Sequence, residues 1–197
     1  MRAFLLFLPL ALVSAGAYAQ SPGNCMVSYP ISFPMGNLHD YSSNTSFRGI
    51  SFEFNKKTSP YTTAGLEVGW NVFYQHVDKK VYQEGTASIT GVQYRYTNAV
   101  PIIAGVKYYK KTGSKAMRPF VGVGLGTIYV NRTTDFGLYE IVSDSWQFAL
   151  RPEVGIDFKV ASAQAFWLGA KYMWGFNTSN LDGQQWLSIN IGFRSGL

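Results

Sequence analysis

The sequence predicts an all-β fold, an eight-stranded antiparallel up-and-down transmembrane β-barrel, and three observations carry that prediction. Apolar and polar residues alternate with a period of two along eight segments. The apolar face of these segments carries no charge near its centre, and its aromatic residues gather toward the segment ends. The connections between segments alternate between short and mostly long, so that turns gather at one rim of a barrel and loops at the other.

The elements follow in chain order. In the first, Val27, Tyr29, Ile31 and Phe33 alternate with Ser28, Pro30 and Ser32. In the second, Ile50, Phe52 and Phe54 alternate with Ser51, Glu53 and Asn55. In the third, Leu66, Val68, Trp70, Val72 and Tyr74 oppose Gly65, Glu67, Gly69 and Asn71. The fourth is the longest: Val92, Tyr94, Tyr96, Asn98, Val100, Ile102, Ala104, Val106 and Tyr108 keep one parity without a slip. A hairpin at Asn98-Ala99 would give nine strands, whereas bacterial single-chain barrels have even numbers, so one strand is expected. The fifth sets Val121, Val123, Leu125 and Tyr129 against Gly122, Gly124 and Gly126. The sixth sets Trp146, Phe148, Leu150, Val154, Ile156 and Phe158 against Gln147, Arg151, Glu153 and Asp157. In the seventh, Phe166, Leu168, Ala170, Tyr172 and Trp174 oppose Trp167, Gly169 and Lys171, and in the eighth Leu187, Ile189, Ile191 and Phe193 oppose Ser188, Asn190, Gly192 and Arg194. Short turns are expected at Lys57 to Pro60, Lys111 to Ala116 and Lys159 to Ala163, with polar loops at Gly36 to Thr45, Val77 to Ser88, Thr133 to Ser143 and Asn177 to Gly183.

Composition agrees with strands in a membrane. Charged residues are 14% of the 197 and aromatics 16%, against about 25% charge in ordinary soluble domains. The length suits one domain. At the N-terminus Arg2 precedes an apolar core from Phe4 to Val13, interrupted by Pro9, and Ala17-Tyr18-Ala19 is a small-x-small cleavage pattern. Residues 1–19 therefore read as a signal peptide and residues 20–197 as the barrel domain. That apolar core falls short of a membrane helix of about 20 residues, and no later stretch reaches one, so the remaining route into a membrane is by strands. Cys25 is the only cysteine, which excludes an internal disulfide; Pro22-Gly23-Asn24 before it lacks the residues of a lipidation site. The net charge of +6 comes from scattered basic residues and does not point to nucleic acid.

A soluble barrel alternates too, with its apolar face inward. Here a Lys or Arg at a lipid-facing strand centre would cost about 2–4 kcal/mol, and the apolar face has none; Arg48 and Lys110 lie at strand ends. The expected membrane-interface aromatics are Trp70, Tyr74, Tyr94, Tyr96, Tyr129, Trp146, Tyr172 and Trp174 toward the loops, and Tyr108, Phe158, Phe166 and Phe193 toward the turns. The opposite face carries Glu53, Glu67, Arg95, Lys107, Arg118, Arg151, Glu153, Asp157, Lys171 and Arg194. An eight-stranded barrel encloses room for side chains and little else, so these charges are expected to fill the bore as a polar network. The alternative is a narrow path for small solutes.

Val100-Pro101-Ile102-Ile103 to Tyr108-Tyr109, followed by Arg118-Pro119-Phe120-Val121-Gly122-Val123-Gly124-Leu125-Gly126, resembles the small outer-membrane β-barrel domains of OmpA/OmpX-like and Bacteroidetes-type proteins. Tyr29-Pro30-Ile31-Ser32-Phe33-Pro34-Met35-Gly36 is similar to their first strand. The resemblance implies a bacterial outer-membrane location, contact with outer-membrane lipid and lipopolysaccharide, and passage through the barrel-assembly machinery. Such barrels often end on an aromatic residue, whereas Phe193 is followed by Arg194-Ser195-Gly196-Leu197. With an even strand count and periplasmic turns, both termini are expected in the periplasm.

Some similar barrels hydrolyse or transfer acyl chains of lipid A, which needs a Ser/His/acid arrangement. His39 and His76 are the only histidines, and neither lies in a His-x-Ser-Asn pattern, so no enzyme is expected. No cofactor is implied, and two histidines without a cysteine pair make a weak metal site. Gly122, Gly124 and Gly126 share one strand face and make room for Trp167 or Arg151 across the bore, not for a phosphate. The Asn-x-Ser/Thr triplets at Asn44, Asn131 and Asn177 are read as incidental. Tyr82, Phe136, Leu138 and Tyr139 place apolar groups in two loops, where packing on neighbouring loops is favoured over partner binding. The expected role is structural or surface-interacting, with a small-solute channel second and a lipid A-modifying enzyme third.

Overall fold

The computed structural model describes residues 23–84, 87–111, 116–137 and 139–196, with residues 80–84 and 87–90 described by their backbone alone. The signal peptide and the side chains of Tyr82 and Leu138 lie outside the described residues. The strands are β1 (Gly23–Met35), β2 (Gly49–Ser59), β3 (Thr62–Glu84), β4 (Ala87–Tyr109), β5 (Met117–Asp135), β6 (Glu140–Ala161), β7 (Gln164–Gly175) and β8 (Gln185–Ser195). Each pairs with the next, and β1 pairs with β8, so the sheet closes as an antiparallel barrel. Closure removes the exposed strand edges that an open sheet would leave.

Register carries the two-residue period around the wall. Val27 faces Phe52, Phe52 faces Val68, and Val68 faces Ile102. Farther round, Leu150 faces Trp174 and Ala170 faces Ile189. Residues of one parity therefore form a continuous outer surface, on which Phe52, Leu66, Val123, Leu125, Val154 and Ile191 are all exposed. Residues of the other parity are buried or half-buried. β4 runs unbroken through Asn98-Ala99.

The sequence boundaries need correction at the rims. Val77 to Ser88 is not an open loop: β3 and β4 stay paired out to Glu84–Ala87, with a register shift between Val77 and Lys80. Thr133 to Ser143 is likewise mostly ribbon, paired out to Asp135–Glu140. Its tip closes with Phe136 N–H on the Tyr139 carbonyl at 2.8 Å, and Gly137 there adopts φ 89°, a conformation that favours glycine. Polar residues on both faces hide such ribbons from a periodicity argument. The β2–β3 and β6–β7 turns are tighter than expected, passing through Pro60-Tyr61 and Ser162-Ala163, each beside a register shift. The loop after β1 contains a short helix, α1 (Asn37–Tyr41), entered through Gly36 at φ 53°.

One seam is thinner than the others. The β1–β2 ladder runs from Gly23–Lys56 to Ser28–Ser51 and then stops, resuming only as a bridge between Ser32 and Ser46. Ser32 N–H donates to Ser46 at 2.9 Å, so β1 residues of its parity turn their nitrogens toward β2. Pro30 has that parity and no N–H to offer, which interrupts the ladder at its own position.

Candidate functional site

The bore is built in layers, each set by where a residue falls along its strand. In the middle lie Glu53 of β2, Glu67 of β3, Lys107 of β4, Arg151 and Glu153 of β6, and Lys171 of β7. All are at most 5% exposed. Lys107 Nζ is 2.6 Å from Glu53 Oε1 and 3.6 Å from Glu153 Oε2. Arg151 donates through Nη1 to Glu67 Oε2 and through Nη2 to Glu153 Oε1, the latter at 3.0 Å. Lys171 Nζ donates to Glu67 Oε2 at 2.8 Å and stands 3.6 Å from Glu53 Oε2. Three acids and three bases thus neutralise one another in a closed ring, the arrangement that sequestered charges require.

Toward the loops the same inward parity turns apolar. Phe73, Ala99, Ile103, Ile128, Val130, Ala149, Met173 and Trp186 form one buried cluster, joined by Leu38 from α1 and Leu181 from the last loop. Phe73 and Trp186 meet edge to face at 5.6 Å between ring centroids. α1 is short, but it drops Leu38 into the bore and caps this plug. Toward the turns, Met26, Tyr109, Phe120 and Trp167 form a second buried cluster. Lys107 lies 5.0 Å from the Phe120 ring centroid and Lys171 5.0 Å from that of Trp167, so the charged layer rests on aromatic faces.

The inward charges do not all join one network. Glu53, Glu67, Lys107, Arg151, Glu153 and Lys171 form the central layer. Asp157 and Arg194 make a separate pair at 2.6 Å at the level of the aromatic cluster, opposite Trp167 and Met26 in register. Arg118 lies at the turn-side mouth, its guanidinium 4.6 Å from the Tyr109 ring centroid. Arg95 lies at the loop-side mouth, where its Nη1 donates to the Tyr41 carbonyl at 3.1 Å. Arg132, which the sequence reading did not single out, packs 4.1 Å from the Tyr41 ring centroid, and its Nη2 donates to Gln184 Oε1 at 3.1 Å. Burial pushes the Tyr41 phenol above its ordinary pKa, against the hydrogen bond to Thr134 and the two arginines, which pull it down.

The glycine stripe serves the layers. A Cβ on Gly122 would meet the Glu153 side chain, and one on Gly124 would meet Ile103 and Arg151. The large Trp167 ring is accommodated instead by Gly169 and Gly192.

Outside, Trp70, Tyr94, Tyr108, Trp146, Phe158, Phe166, Trp174 and Phe193 are exposed, and Tyr74, Tyr96, Tyr129 and Tyr172 half-exposed. Cross-strand contacts run along both rims. Tyr74 meets Tyr96 at 5.0 Å and Tyr129 meets Trp146 at 5.2 Å on the loop side, while Phe166 meets Phe193 at 5.5 Å on the turn side. Of the loop residues, Tyr139 is exposed and Phe136 half-buried.

His76 Nδ1 is 3.8 Å from the exposed Asp78 carboxylate, and His39 lies in α1. Among the described residues no serine hydrogen-bonds to either histidine, and no three His, Cys, Asp or Glu side chains are grouped to hold a metal ion.

No family model and no curated sequence matches this chain. Solved structures do. Neisserial surface protein A aligns over 90% of this chain and 98% of its own, with 14% identity and a TM-score of 0.60. The chain shares its fold. The attachment invasion locus protein Ail of Yersinia pestis covers 89% of this chain and 99% of its own, at 9% identity and a TM-score of 0.48. The N-terminal β-barrel domain of Pseudomonas aeruginosa OprF covers 88% and 98%, at 9% identity and a TM-score of 0.45.

Proposed function

We propose that this chain is an integral protein of the bacterial outer membrane with a structural or surface-interaction role, and that its bore is filled rather than open. The observation that carries the reading is the stack inside the wall: an apolar plug, a neutral six-charge layer and an aromatic cluster in series. A hydrated solute path would need a continuous polar surface, and two apolar layers interrupt it. The outer surface supports the membrane part. It is apolar between aromatic rims, and the outward residues between Arg48 and Lys56 on β2 and along β5 from Val121 to Leu125 carry no charge. β1 begins and β8 ends at the turn rim, so with the turns in the periplasm both termini are periplasmic. The loop rim, with the two long ribbons and α1, then faces outward and is the surface available to partners.

Reconstitution tests the filled bore without identifying a partner. Liposomes loaded with small sugars and carrying the folded protein are expected to swell no faster than protein-free liposomes. Swelling that scales with protein content and falls with solute size would establish the small-solute channel instead.

A further inference from the structure

The turn-side mouth holds a second polar site, distinct from the six-charge layer. A cavity of about 120 Å³ opens beside the β2–β3 turn, and Asn24, Lys57, Thr63, Tyr109, Arg118 and Arg194 contribute to its lining. Three of these are cations and none is an acid. Arg194 is 1% exposed. Its Nη1 donates to the Tyr109 hydroxyl at 2.9 Å and lies 2.6 Å from Asp157 Oδ2. Its buried Nε and Nη2 have no acceptor and the buried Thr63 hydroxyl has no partner, while the buried Asn24 Oδ1 and Asp157 Oδ1 have no donor. Asn24 adds an amide, which can present either end.

A buried donor without an acceptor costs about 1–3 kcal/mol, and more when charged. A cavity lined by the side chains of Lys57, Arg118 and Arg194, with no acid among its lining residues, is suited to a ligand made of acceptor oxygens. Asp157 offsets one of the three cations, which leaves the mouth positive. Lys56, Lys110, Lys111 and Lys159 stand exposed around the same rim. Among the described residues Asp157 is the one acid on the turn side of the central layer, whereas Asp40, Asp78, Asp135, Glu140, Asp144 and Asp182 lie on the loop side. Such a one-sided field draws anions to the turn rim. The cavity has room for a tetrahedral oxyanion.

We propose that the turn-side mouth binds a phosphate-class oxyanion through Arg194, Arg118, Lys57 and Thr63. Free phosphate and a phospholipid headgroup share this chemistry, and two experimental arms separate them. In one, the folded full-length chain in a non-ionic detergent is titrated with inorganic phosphate at constant ionic strength, read by calorimetry, with sodium chloride as control. In the other, melting temperature is compared in nanodiscs of phosphatidylglycerol and of phosphatidylcholine. Saturable phosphate binding, or stabilisation by phosphatidylglycerol, is expected and names the source. Arg118→Gln and Lys57→Gln are each expected to weaken it at least tenfold, or to abolish the lipid-dependent shift. Lys159→Gln, an exposed rim lysine outside the cavity lining, is expected to leave it unchanged, and circular dichroism verifies that each variant is folded. Absence of saturation in both arms, an equal response to chloride, or an equal loss in Lys159→Gln would overturn the proposal.

Discussion

Replacing Arg151 by Met keeps most of the side-chain volume and removes one charge from the centre of the bore. Arg151 holds two carboxylates, Glu67 through Nη1 and Glu153 through Nη2 at 3.0 Å. At that distance and an effective dielectric of 20, one such contact is worth about 5 kcal/mol of Coulomb attraction. Desolvation of the guanidinium offsets much of that in the native protein, which is why removing one partner of a buried pair costs a net of about 3–5 kcal/mol. After the substitution, Glu67 keeps Lys171 at 2.8 Å, but Glu153 keeps only Lys107 at 3.6 Å. The layer then has three acids and two bases. Adding Glu153→Gln restores two of each, so the double variant is expected to recover at least half of the loss. Equilibrium urea unfolding in lipid vesicles, followed by tryptophan fluorescence, gives both values. A loss below about 1 kcal/mol for Arg151→Met, or a double variant no more stable than the single one, would refute the idea that mutual neutralisation holds the layer together.

Hydrogen exchange is expected to be faster at the Ser28 and Ser32 amides, which face β2 on either side of the break at Pro30, than at the Tyr29, Ile31 and Phe33 amides, which face the unbroken ladder to β8; equal protection of the two sets would contradict this. Gly192→Ala is expected to cost more than 2 kcal/mol by chemical denaturation, since its Cβ would strike the Trp167 indole and the Val27 carbonyl. Gly137→Ala, at a ribbon tip with positive φ and nothing near its Cβ, is expected to cost about 1 kcal/mol. With brominated lipids, Trp70, Trp146 and Trp174 should be quenched while Trp167 and Trp186 are spared, as read from single-tryptophan variants.

Strand parity was readable because one face of the wall is apolar and a one-residue slip would turn every side chain over. From Val92 to Tyr108 that contrast never lapses, and β4 is one strand. Beyond the apolar band the contrast fades, which is why the paired ribbon from Val77 to Ser88 reads as a loop. The charged residues of the bore could be placed on the inward face, but their partners depend on how far each strand is staggered around the barrel. Arg95, Arg118 and Lys107 share a parity rule yet end at three different depths. The loop-side plug does leave a trace in the sequence: Phe73, Ile103, Ile128, Met173 and Trp186 are apolar residues on polar parity, and Ile128, Met173 and Trp186 lie in the loop-side halves of their strands. Leu38 left none, because a five-residue helix shows no period.

Planar bilayer recording tests the central claim most directly. The folded protein, inserted across a bilayer in concentrated potassium chloride, is expected to show no steady conductance above the bare membrane over a wide voltage range. Discrete, stable openings that recur with each insertion would show an open water path through the bore and contradict the filled barrel.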